Sequence, residues 1–237
     1  MVEDFAAAGF VVMRDVVPSS VIDRFFEVYL TTVASITSQH FTDPFASDLA
    51  EYFTMHRREL SEVYDAISRS TIGVDLSSRS EITAAVREVM RHDDIELFRK
   101  VVVRLDMPLE TRELAHWHQD HFYVRGNVDI VTAWIPLQDT TFLNGCLAVM
   151  PGSHDLGPLD HDLKIGKRDV PSGVFDREVR LVEMRQRDIL IFHSLLVHSS
   201  TLNLSRSLRY SVQPRFTMAG ASTDAAMRGT IGLGGTE

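Results

Sequence analysis

"RDILIFHSLLVHSS", residues 187–200, crowds Ile, Leu, Phe and Val into one short run and sets histidines at 193 and 198. Branched and aromatic residues at this density read as buried strand. The same texture recurs in "ELFRKVVVRLDMP", "VDIVTAWIPLQD", "GCLAVMPGSH", "REVRLVEMRQRDILIFHS" and "SLRYSVQPRF", runs broken by Gly, Pro, Asn and Asp. No helical period separates them. Strands that follow one another without crossover helices argue against a parallel α/β sheet, so residues 96–218 are predicted to close into an antiparallel barrel or sandwich.

Upstream the pattern changes. "GFVVMRDVVP", 9–18, is a short β-rich run ended by proline, and "SSVIDRFFEVYLTTVASI" places apolar groups at Val21, Ile22, Phe25, Phe26, Val33 and Ile36, which is helical spacing. Ser20, three residues before Asp23, offers a capping hydroxyl for that helix. Further helical patterns run over 58–70 and 81–91, joined by the turn-rich "STIGVDLSSRS". The chain therefore reads as one domain, 1–237, with a mainly helical elaboration over 1–95, a β-barrel core over 96–218 and a loose tail over 219–237, where "GTIGLGGTE" carries four glycines.

Composition narrows the function. With 44% hydrophobic and 24% charged residues, 237 positions can bury a sizeable core. A net charge of −9 argues against nucleic acid and anionic membranes as partners. The one cysteine, Cys146 in "CLAVM", reads as a buried structural thiol and suits a reducing compartment. No apolar run approaches the roughly 20 residues of a membrane span, and "MVEDFAAAGF" opens on acids rather than the basic residues of a signal peptide. These features lead us to expect a cytoplasmic protein; oligomeric state has no signature.

"WHQDHFYVRG", 117–126, carries the densest chemistry in what reads as strand. Residues i and i+2 of a strand face the same way, so His118 and Asp120 would point together while Gln119 points elsewhere. A third metal ligand would come from "ILIFHSLLVHSS", which offers His193 and His198. Two imidazoles and one carboxylate leave adjacent positions open, as in non-haem Fe(II) oxygenases. An alternative set uses His116 with His118, since "HWH" could form a zinc or cupin-like pair.

The wider pattern closely resembles the phytanoyl-CoA dioxygenase family of Fe(II)- and 2-oxoglutarate-dependent oxygenases. The resemblance lies in "WHQD", "TAWIPLQDTTFLNGCLAVMPGSHDLG" and "RDILIFHSLLVHSSTLNLSRSLRYSVQPRF", with "GFVVMRDVVPSSVIDRF" similar to the family's opening strand and helix. It implies a double-stranded β-helix, a cupin-like jelly roll. It also implies iron held by His118, Asp120 and His198, which leaves His116 and His193 in supporting roles. Arg209 stands where the family's arginine grips the far carboxylate of 2-oxoglutarate, and a planar fork of donors suits that task. Ser200, Ser211 and Trp134 fall at positions similar to co-substrate contacts, though each also fits a turn hydroxyl, a strand hydroxyl or a core indole.

The implied reaction spends O2 and 2-oxoglutarate, releases succinate and CO2, and hydroxylates an unactivated C–H bond of a metabolite or natural-product intermediate. Desaturation, cyclisation and epimerisation are rival outcomes of the same chemistry. A cupin-type isomerase that uses no 2-oxoglutarate and a non-catalytic binding barrel are the other classes. In "NGCLAVMPGSH", Asn144-Gly145 and Pro151-Gly152 are turn signals, and His154 reads as a capping or solvated residue or else a substrate contact. The polar loop over 155–176 has the composition of an active-site lid, and its Lys164, Lys167 and Arg168 could meet an acidic substrate or form a solvated face. Arg104, on the strand before the metal motif, is a second anion-binding candidate, or else a salt-bridge partner.

Overall fold

The computed structural model of the chain describes residues 2–111, 116–125, 127–164, 167–170, 172–174, 176–221 and 229–233. Helix α1 (Val2–Ala8) passes through Gly9 into strand β1 (Phe10–Met13), and five helices follow: α2 (Ser19–Thr37), α3 (Ser47–Met55), α4 (Arg57–Arg69), α5 (Ile72–Ser77) and α6 (Ser80–Met90). The apolar spacing of α2 buries Ile22, Phe25, Phe26, Tyr29 and Val33 along one stripe. Its start differs from expectation. Pro18 is the cap residue and no side chain caps the helix, so Ser20 lies inside the first turn. The α3 and α5 segments carry no readable period in the sequence; α5 forms within the turn-rich connector, burying Ile72 and Leu76.

The remaining strands are β2 (Ile95–Phe98), β3 (Val102–Asp106), β4 (Val131–Pro136), β5 (Leu147–Val149), β6 (Asp162–Lys164), β7 (Lys167–Asp169), β8 (Arg180–Val182), β9 (Ile189–His193), β10 (His198–Ser200), β11 (Arg209–Gln213), β12 (Arg215–Met218) and β13 (Thr230–Gly232), with a single-turn helix α7 (His121–Val124). In the larger sheet β9 lies between β1 and β4. β11 and β12 are two halves of one bent strand: β4 pairs β12 at Val131–Thr132 and β11 at Ile135–Pro136, and β3 and β2 follow the two halves on the other side. The break falls at Pro214, which has no N–H to give, although its carbonyl accepts from Ala133 N at 2.9 Å. The smaller sheet runs β10-β5-β8. The strand pairings among the described residues are antiparallel, as expected for a mainly β jelly roll with flanking helices. One expectation fails at the end of the chain: the tail contributes β13, paired to β2.

Alternation along the strands sorts the side chains. Val11, Met13, Ala133, Ile135, Ile189, Ile191, Tyr210 and Val212 pack under the helices with Phe25, Tyr29 and Phe53. Their neighbours in sequence, Phe10, Trp134, Leu190 and Phe192, face Leu147, Val149 and Val182 across the gap between the sheets. Cys146 is buried and free, as its apolar setting suggested. No helix among the described residues is long and apolar enough to cross a membrane.

Candidate metal centre

The expected strand over 117–126 does not form. His118 makes a single antiparallel bridge to His198, with His118 N to His198 O at 2.9 Å and the reverse bond at 3.0 Å. Asp120 has helical dihedrals (φ −61°, ψ −31°) and starts α7. The two side chains still converge, because the bridge aligns His118 beside β10 and the turn swings Asp120 back towards it. One ligand atom from each of His118, Asp120 and His198 lies within 4.8 Å of the others, and all three residues are buried.

The imidazoles are oriented by their own backbone. His118 Nδ1 lies 2.5 Å from His116 O and His198 Nδ1 lies 3.0 Å from Leu196 O. A carbonyl can only accept, so each Nδ1 carries a proton, and Nε2 is the nitrogen left to meet a metal. Burial, with the His118 ring beside it, pushes His198 down to about 3 and keeps it neutral. Burial opposes the charge on Asp120, but Arg215 above all outweighs it and holds the carboxyl well below the usual range. Arg215 grips both carboxylate oxygens, Nη2 to Oδ1 at 2.9 Å and Nε to Oδ2 at 3.1 Å, and Thr132 donates to Oδ2 at 2.5 Å. Gln119, expected to point away, is a buried tie. It donates to Gly157 O and Leu195 O and accepts from Leu159 N, while its own N–H donates to His161 Nε2 at 3.0 Å. The segment read as a lid thus also clamps the back of the metal motif.

The other expected ligands lie elsewhere. His193 shares its face of β9 with Ile189 and Ile191; its ring lies 5.5 Å from His154, and its Nδ1 accepts from Leu195 N. Burial, with His154 nearby, lowers its pKa. His154 meets Ala6 O at 3.2 Å and fits beneath Gly9 (φ +77°), where a Cβ would come within 2.5 Å of its Nδ1. His116 contributes its carbonyl to His118. The turns expected at Asn144-Gly145 and Pro151-Gly152 are present, Gly145 at φ +92° and Gly152 at φ +71°.

A cavity of about 500 Å³ opens over the three ligands, and its wall includes Arg104, Trp134, Ser200 and Arg215. Behind it Arg209, 1% exposed, contacts Ser211 Oγ at 2.9 Å and Asp106 Oδ2 at 2.9 Å, with its guanidinium 5.4 Å from the Trp134 ring. Arg209, Ser211 and Trp134 are therefore neighbours. Arg104 lines the cavity and donates to Asp106 Oδ1 at 2.6 Å. The side chains of Lys164, Lys167 and Arg168 lie outside the described residues. Sequence reasoning missed Arg215, Thr132, Asp106 and His161, whose partners are distant in the chain and carry no local spacing signal.

The sequence matches the phytanoyl-CoA dioxygenase (PhyH) family over residues 5–211. The chain belongs to that family. Among curated relatives, a 1-deoxypentalenic acid 11-beta-hydroxylase of Streptomyces arenae is 38% identical over 114 residues, 43% of this chain and 40% of that enzyme. The peroxisomal phytanoyl-CoA dioxygenase of Homo sapiens is 34% identical over 112 residues, 43% of this chain and 33% of that enzyme. The matched segment thus spans about two fifths or less of each relative's length. The fold is shared with the epimerase SnoN, solved with Fe3+, alpha ketoglutarate and nogalamycin RO, at a TM-score of 0.66 and 19% identity over 95% of this chain and 85% of that one. For a PhyH family chain the donor set fits a divalent iron: two imidazoles and one carboxylate, all buried. The layer below fits a co-substrate. Trp134 Nε1 and Arg209 Nε are buried donors without a hydrogen-bond partner among the described residues, the condition that a bound polar ligand relieves.

Proposed function

We propose that the protein is an Fe(II)- and 2-oxoglutarate-dependent oxygenase that hydroxylates a C–H bond of a small molecule. The observation that carries this reading is the convergence of His118, Asp120 and His198 with both imidazole Nδ1 protons already engaged by carbonyls. When bound, Fe(II) with 2-oxoglutarate supplies the oxidising power, O2 giving one atom to succinate as CO2 leaves and the other to the substrate.

The chain's own groups prepare that reaction. His118 and His198 present Nε2, and Asp120 presents a carboxylate fixed by Arg215 and Thr132, so the ligands need little rearrangement to receive the metal. Arg209 holds the far carboxylate of 2-oxoglutarate, with Ser211 orienting the guanidinium and Ser200 and Trp134 on the cavity side. Leu147 and Phe192 make part of the cavity wall apolar and limit water near the reacting carbon. The hydroxylase among the relatives supports the reaction type. The test is incubation with Fe(II) and 2-oxoglutarate under 18O2: succinate should carry one labelled oxygen, and the yield should vanish in His198→Ala. Succinate at or below that variant's level would overturn the reading.

A further inference from the structure

Arg209, which the oxygenase reading gives to the far carboxylate of 2-oxoglutarate, already faces a carboxylate of this chain. Asp106 sits opposite it across β3 and β11, and its Oδ2 lies 2.9 Å from Arg209 Nη2. The contact is ionic without being an aligned hydrogen bond: Asp106 Oδ2 is a buried acceptor, and Arg209 Nε a buried donor, with no hydrogen-bond partner among the described residues. Nη1 donates to Ser211 Oγ at 2.9 Å. The guanidinium is therefore engaged on two sides before any ligand arrives.

Asp106 is held where it stands. Asn203 Nδ2 donates to its backbone carbonyl at 3.0 Å, and Arg104 Nη2 donates to its Oδ1 at 2.6 Å. Burial opposes its charge, but Arg209 and then Arg104 outweigh it and hold the carboxyl below its usual range. The position it occupies matters for recognition. A guanidinium grips a carboxylate by two parallel bonds through Nη1 with Nη2, or through Nε with Nη2, and Asp106 stands against the nitrogen common to both edges. A second carboxylate brought to Arg209 also meets a fixed like charge where little water screens it, and like charges confined to one site oppose each other's ionised form.

We infer that Asp106 is a positioning residue that weakens 2-oxoglutarate: its carboxylate competes for Arg209 with the far carboxylate of the co-substrate, so the site discriminates only modestly between 2-oxo acids with and without a charged far end. The inference rests on the oxygenase reading, because it gives Arg209 to 2-oxoglutarate.

The experiment titrates Ni(II)-loaded protein by calorimetry with 2-oxoglutarate and with 2-oxopentanoate, which has the same keto acid end and no second carboxylate. In the natural protein 2-oxoglutarate should be favoured by less than about thirtyfold, the lower end of what removing one partner of a buried charge pair costs. Asp106→Asn keeps the shape and a hydrogen-bonding side chain; it should tighten 2-oxoglutarate at least about tenfold and move 2-oxopentanoate less than about twofold. A merely structural role would move both ligands together. A preference above about thirtyfold in the natural protein, or one that rises less than about fivefold in Asp106→Asn, overturns the inference. The first measurement needs no variant and keeps the test usable when Asp106→Asn misfolds. Anaerobic Fe(II) protein is titrated in parallel with 2-oxoglutarate, following its visible charge-transfer band. A normal band with an unmoved preference removes this inference alone; absence of the band removes the oxygenase reading and this inference with it.

Discussion

Arg209 and Tyr210 are adjacent on β11 and both are buried, yet they serve opposite faces of one sheet. Tyr210 turns to the helices, its ring 5.2 Å from Phe26 and 5.1 Å from Tyr29 and its hydroxyl donating to Pro44 O. Arg209 turns to the gap between the sheets, with one carboxylate, one hydroxyl and an unsatisfied Nε. β3, β4 and β12 repeat the division, hydrocarbon outward to the helices and aromatic, charged or hydroxyl groups inward, while β1 and β9 are apolar inward as well. A buried charge costs several kcal/mol after relaxation, so the charged groups of the inner face are not what stabilises the fold. The outer face and its helices hold the sheet in shape, and the inner face is free to keep groups suited to ligands.

That division is testable by substitutions on each face. The largest effect belongs to the inner face: His118→Ala, Asp120→Ala and His198→Ala should each abolish tight Fe(II) or Ni(II) binding, measured by metal content after dialysis. On the outer face, Ile191→Ala should cost about 2–5 kcal/mol of unfolding free energy by denaturant titration while metal affinity is kept. A loss of metal in Ile191→Ala at temperatures where it is folded would erase the distinction.

Next in size, Arg209→Ala should weaken 2-oxoglutarate by about 2–5 kcal/mol with metal still bound, since a buried carboxylate loses its charged partner. Calorimetry on Ni(II)-loaded protein reads both quantities. Arg215→Gln acts behind the ligand, and should lower metal affinity by about 10–100-fold without moving 2-oxoglutarate selectivity. The smallest effect is at His193, whose ring lies beside His154: His193→Ala should cost about 1 kcal/mol through the Leu195 N–H it satisfies, and leave metal binding alone. Metal loss in His193→Ala or His116→Ala, with retention in His198→Ala, would favour the alternative ligand set.

Much of this was legible in the residues. Period 3.6 exposed α2, α4 and α6, and β-branched runs located β3, β4, β9 and β11, because each buries a face whose pattern is local. The metal motif was legible as residue types, but for a mistaken geometric reason: Asp120 meets His118 through a helical turn, not a shared strand face. The choice between His193 and His198 was not available from spacing. The turn between β9 and β10 carries the chain from one sheet to the other, so strand parity does not continue through it. Arg215 and Thr132 escaped notice because their common partner, Asp120, is brought to them only by the closed barrel. The β13 strand hid behind its glycines, which report backbone freedom and not what a neighbouring strand can pair with.

The central claim is that His118, Asp120 and His198 hold a divalent iron over a 2-oxoglutarate layer built on Arg209. It is tested most directly by adding 2-oxoglutarate to the anaerobic Fe(II) protein and following the visible charge-transfer band of the keto acid on iron. The account predicts a saturable band in the natural protein, a band of the same position but much weaker 2-oxoglutarate affinity in Arg209→Ala, and none in His198→Ala. An iron-loaded natural protein that gives no band, or an undiminished band in His198→Ala, would contradict it.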